Sequence, residues 1–87
     1  MLCYVYKGDK RDDHYLYLDS QIEDAEVPEA LLSMLGELSK VIHFDLNADR
    51  QLPQADPKQV MKDIREQGFY LQMPKKDMLA EEADYFN

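Results

Sequence analysis

The single cysteine and the two histidines of this 87-residue chain, Cys3, His14 and His43, are the first candidates for nucleophilic or metal chemistry. A cysteine thiolate with an imidazole as its base would make an acyl- or group-transfer nucleophile. The setting of Cys3 argues against it. It sits in the apolar run LCYVY with no cation beside it to lower its pKa, and there a cysteine behaves as a small hydrophobe. The two histidines lie far apart in sequence, and no third imidazole or ligand-type spacing accompanies them. With only Gly8, Gly36 and Gly68, the chain has no glycine-rich phosphate loop. Eighteen acids make carboxylate pairs inevitable by chance, so no pair stands out for acid–base work. The expectation is a protein that is not an enzyme, with no catalytic residue, metal site or cofactor.

Charge offers the other kind of chemistry, recognition. The stretch YKGDKRDDHY, residues 6–15, gathers Lys7, Lys10 and Arg11 in a chain whose formal net charge is −8. Bases beside exposed tyrosines could form a platform for single-stranded nucleic acid or phosphate, with Arg50 as a further candidate. The same bases alternate with Asp9, Asp12 and Asp13, which is how a solvated turn reads. A chain this acidic repels nucleic acid and anionic membrane as a whole, so any anion site is a local exception. Residues 19–39 carry six acids (Asp19, Glu23, Asp24, Glu26, Glu29 and Glu37) and no base. Within them Glu23, Asp24 and Glu26 are candidates for steering a basic protein partner.

The elements that must hold these groups follow from pattern. LCYVYK (2–7) and HYLYLD (14–19) read as strands joined by a polar segment. Pairing like with like sets Val5 opposite Leu16 and Cys3 opposite Leu18 on an aliphatic face, with Tyr6 opposite Tyr15 and Tyr4 opposite Tyr17 on the other. In VPEALLSMLG, Pro28 suits the first turn of a helix and Gly36 its end, with Val27, Leu31, Met34 and Leu35 on one face. LSKVIHFD (38–45) reads as a third strand with Ile42 and Phe44 on its buried sides. DPKQVMKDIREQG reads as a second helix, capped by Asp56 with Pro57 in its first position, Gln59 closing a capping box, and Gly68 ending it. Val60, Met61 and Ile64 form its apolar stripe. FYLQM (69–73) reads as a last strand, stopped by Pro74. Residues 75–87 read as a short acidic tail or a terminal helix.

The order is β-β-α-β-α-β, an α/β (α+β) fold with a small mixed four-stranded sheet in one domain, 1–87. A lone cysteine leaves no internal disulfide, and no stretch approaches the ~20 apolar residues of a membrane helix. A soluble, cytoplasmic protein without a membrane partner is expected.

In combination, these residues resemble the YcgL domain family of small gammaproteobacterial proteins. The resemblance is carried by Cys3 through Lys7, Lys10-Arg11-Asp12 and Tyr15-Leu16-Tyr17 in the opening hairpin, and by Val27-Pro28 with Leu31 and Leu32. It continues through Leu46, Arg50, Leu52, Ala55-Asp56 and Val60, and closes on Gln67-Gly68-Phe69-Tyr70-Leu71-Gln72-Met73-Pro74. It implies a three-layer α/β/α sandwich, in which helices cover the tyrosines. The family has no established biochemical activity, so no catalytic residue carries over. A protein-interaction or regulatory domain is the leading expectation, and an anion or RNA binder through the basic turn and Arg50 is the alternative.

Overall fold

A computed structural model describes residues 1–52 and 55–74. Four strands and two helices follow in the expected order: β1 (Leu2–Gly8), β2 (Tyr15–Leu18), α1 (Glu29–Leu35), β3 (Leu38–Asp45), α2 (Pro57–Gln67) and β4 (Tyr70–Gln72). A short 3-10 helix, Ile22–Asp24, precedes α1. The expectation for residues 75–87 lies outside the described residues. The strands form one sheet in the order β3-β1-β2-β4. Every ladder is antiparallel, where a mixed sheet was expected.

α1 follows Pro28 at its N-cap position, with no side-chain cap, and ends where the Gly36 N–H returns to the Leu32 carbonyl. α2 starts and stops where local chemistry says it should. The Asp56 side chain accepts the Lys58 backbone N–H at 3.0 Å, and Pro57 needs no partner for an N–H it lacks. Gly68 closes α2 in the left-handed conformation (φ 92°) and returns its N–H to the Ile64 carbonyl. The capping box does not close. Gln59 instead donates along the helix to Asp63 at 2.7 Å, so Asp56 caps alone.

The hairpin register differs from like-with-like pairing by one residue. Tyr4 faces Leu18, Val5 faces Tyr17, Tyr6 faces Leu16 and Lys7 faces Tyr15. Both faces therefore mix tyrosine with aliphatic side chains. Cys3, Val5 and Tyr17 cluster with Leu46 and with Val60 and Ile64 of α2. Tyr6, Leu16 and Leu18 cluster with Leu35 of α1, and Leu31, Met34 and Val27 pack beside them. The cause lies in the turn. Asp9 and Lys10 donate backbone N–H bonds to the carbonyls of Glu37 and Leu35, and the Asp9 carboxylate accepts the Glu37 N–H at 2.9 Å. Once the turn is tied to the end of α1, its length sets which residues face each other, and side-chain likeness does not.

The third strand also departs from expectation. β3 lies at the sheet edge, and its pairing with β1 slips between Val5 and Tyr6, leaving Val41 as an extra residue between Ile42 and Lys40. A bulge of this kind bends an edge strand and re-aims its side chains. Ile42, expected inside, is 49 % exposed and Val41 is 54 % exposed, while Phe44 is half-buried.

Candidate functional site

Each polar or reactive residue singled out from sequence has a definite place. Cys3 is fully buried. Burial is the main reason its thiol pKa is pushed from 9.0 up to about 11; the nearby Asp19 charge adds to the rise, while a backbone hydrogen bond at Leu18 opposes it. The two histidines are not its partners. His43 is exposed, with its ring centroid 5.9 Å from that of Tyr4 and tilted to it, and Tyr4 lies on the opposite face of the sheet from Cys3. His14 is buried, and its Nδ1–H donates to the Asp12 carbonyl at 2.9 Å. Among the described residues no three His, Cys, Asp or Glu side chains come together as metal ligands.

The basic turn is docked. Lys10 and Arg11 are exposed and Lys7 is half-buried in β1. Gly36 (φ 85°) lets the chain turn beneath it, because a Cβ there would strike the Asp9 carboxylate and the Lys10 stem. Among the described residues no ion pair joins the bases of this turn to its acids. The turn's last residue before His14, Asp13, holds a left-handed backbone (φ 61°), a conformation aspartate tolerates better than most residues. Glu23, Asp24 and Glu26 are exposed on the segment between β2 and α1. That segment is pinned from below, where the Ile22 N–H donates to the buried Tyr6 hydroxyl at 3.0 Å.

Arg50 is placed elsewhere. It borders an open pocket of about 520 Å³, which none of Lys7, Lys10 and Arg11 lines. One wall is Val41, Ile42 and Phe44 of β3, and the floor is Val5, Tyr15 and Tyr17 of the hairpin. Residues 50–52, Asp13, Gln72 and Pro74 complete it. The Arg50 guanidinium lies over the Phe44 ring at 4.5 Å. Beneath, the Tyr17 hydroxyl donates to Gln72 Oε1 at 2.6 Å, with Tyr70 edge-on to the Tyr17 ring at 5.6 Å. Burial pushes the Tyr17 phenol from 10.0 up to about 12, so that hydroxyl remains a donor throughout the neutral range.

Sequence reading missed this pocket because its residues are scattered from Val5 to Pro74 with no local motif. One signal was present. Val41 and Ile42 are consecutive apolar residues in a strand with one face wet, and such a doublet breaks alternation as a bulge does.

A small α+β domain with an all-antiparallel sheet and an open, aromatic-floored pocket is the class the geometry defines. The YcgL domain model matches residues 3–75, and the chain belongs to that family. It is 43 % identical over 76 residues to a YcgL domain-containing protein of Mannheimia succiniciproducens, covering 87 % of this chain and 74 % of that one. It is also 43 % identical over 74 residues to a YcgL domain-containing protein of Stenotrophomonas maltophilia, covering 85 % and 86 %. A third relative, from Nitrosococcus oceani, bears a name that ascribes it to the HAD-like hydrolases. The match is 40 % identical over 75 residues and covers 86 % of this chain but 20 % of that protein, so this chain spans about a fifth of its length. No helix among the described residues is long and apolar enough to cross a membrane.

Proposed function

We propose that the chain is a non-enzymatic interaction or regulatory domain that works by binding a protein partner. The observation that carries this reading is the division of its groups. The lone cysteine, Cys3, is sealed in the core with a raised pKa, while the exposed groups that stand out are of the recognising kind. Those are the half-exposed Val41 and Ile42 of the edge strand, and the acids Glu23, Asp24 and Glu26 on a pinned surface segment. The acids give a basic partner its approach direction. The Nitrosococcus relative supports the same reading, since there a matching stretch occupies a fifth of a much longer protein named for a hydrolase. An accessory role beside a larger protein suits a domain of this size.

The second reading, an anion or RNA binder using Lys7, Lys10, Arg11 and Arg50, draws on the absence of an acid partner for these bases among the described residues. Against it, Arg50 borders a pocket that the other three do not line. Capture from cell lysate with the tagged protein separates the two, run with and without nuclease. A protein partner that survives nuclease and a Lys7→Glu, Lys10→Glu, Arg11→Glu variant, and is lost on Glu23→Lys, Asp24→Lys, Glu26→Lys, is the expected result. Material lost on nuclease treatment and in the variant at the turn would overturn the interaction reading in favour of the second.

A further inference from the structure

We infer that the pocket between β3, residues 50–52 and the end of β4 is a binding site for a small carboxylic acid with an apolar body, its carboxylate held by Arg50. The inference goes beyond the interaction reading, because it concerns a ligand of the domain itself and needs no protein partner.

Size and lining come first. About 520 Å³ is within the range of clefts that enclose small organic ligands. Val5, Ile42, Phe44 and Leu52 with the rings of Tyr15 and Tyr17 offer an apolar bed for a ring or a branched chain. At the bulge two consecutive apolar residues, Val41 and Ile42, both line the pocket, as strict alternation would not allow.

The polar groups then decide the head group. Gln72 is 6 % exposed, and its carbonyl oxygen is already taken by the Tyr17 hydroxyl. Its amide nitrogen has no protein partner among the described residues, yet it is not a sealed-off polar atom. It is therefore an accessible donor without an acceptor on a residue that lines the pocket. Arg50 supplies the second donor set. Its contact over the Phe44 ring needs no hydrogen-bond acceptor, and no carboxylate among the described residues pairs with its N–H groups. Two unmatched donor groups at one apolar pocket call for an acceptor-only anion. Asp13, which also lines the pocket, in a chain of net charge −8, disfavours a doubly charged head. A singly charged carboxylate on an apolar body meets all three conditions, and a phosphate monoester does not.

The test is a titration of the full-length protein with 3-phenylpropanoate and, separately, with the neutral 3-phenylpropanol, followed by amide chemical shifts. The inference predicts saturable shifts at Ile42, Phe44, Leu52 and the Gln72 side-chain amide. It also predicts that the acid binds about tenfold or more tighter than the alcohol, the ratio one charge-assisted hydrogen bond supplies. Arg50 is exposed, so Arg50→Gln leaves the fold in place; it should erase the acid's advantage, and Arg50→Lys should restore part of it. Equal binding of acid and alcohol, indifference to Arg50→Gln, or no saturable shift would each overturn the inference. Shifts at the same residues on raising protein concentration alone would overturn it in favour of a second copy. Displacement of the acid by much lower concentrations of a blocked Leu-Glu-Leu peptide would overturn it in favour of a partner's segment. Partner capture through Glu23, Asp24 and Glu26 does not depend on Arg50, so loss of this inference leaves that reading standing.

Discussion

Cys3 shows how one side chain is withdrawn from chemistry by its position. Nothing around it stabilises a thiolate strongly enough to offset the loss of water, and the neutral form is favoured in the fold. Tyr17 follows the same logic on the same face of the sheet. Both groups have folded pKa values above their unfolded ones. Their contribution to stability is fully present below the unfolded values and is lost as pH rises through the folded ones. Unfolding free energy should therefore hold steady in the neutral range and fall from about pH 9 towards pH 11, the interval between the ordinary and the raised value for Cys3. Denaturant titrations at a series of alkaline pH values would measure the slope. A Cys3→Ala variant, less stable overall, should lose stability less steeply across that interval. An identical slope would mean that Cys3 does not titrate between the two states.

At the scale of elements, the turn at residues 8–14 carries more structure than its charge suggests. Gly8 ends β1 against the end of α1, where a Cβ would run into the carbonyl of Leu35. Asp9 then accepts the Glu37 N–H, and the turn is fastened to the connection between α1 and β3. Gly8→Ala should cost about 1–3 kcal/mol through this clash. The unfolding midpoint of that variant measures it, and a change below about 0.5 kcal/mol, the usual range for a surface position, would show that the contact yields freely. The same turn explains what could and could not be read from the sequence. All four strands and both helices were legible, since Pro57, Gly68, Asp56 and the tyrosine-rich runs are local signals. Register was not, because it depends on bonds from Asp9 and Lys10 to residues 35–37, which no local pattern announces. Glu23, Asp24 and Glu26 were legible as an exposed acidic segment, and the 3-10 helix that carries two of them was not. Arg50 was legible as a base, but the residues that line its pocket run from Val5 to Pro74, and no local pattern brings them together.

At the scale of the whole molecule, the two faces of the sheet divide the work. One face packs against α1 and leads to the acidic segment that Tyr6 anchors. The other packs against α2 and leaves part of itself uncovered as the pocket beneath Arg50. On the proposed reading, the acidic segment beside the first face guides a partner's approach, and the inferred ligand site lies on the second. Hydrogen–deuterium exchange on the protein, alone and with its nuclease-resistant captured partner, tests the interaction claim most directly. The account predicts slowed exchange over residues 22–35, with residues 7–14 unchanged. Slowed exchange confined to residues 7–14 would contradict it and return the basic turn to the centre of the function.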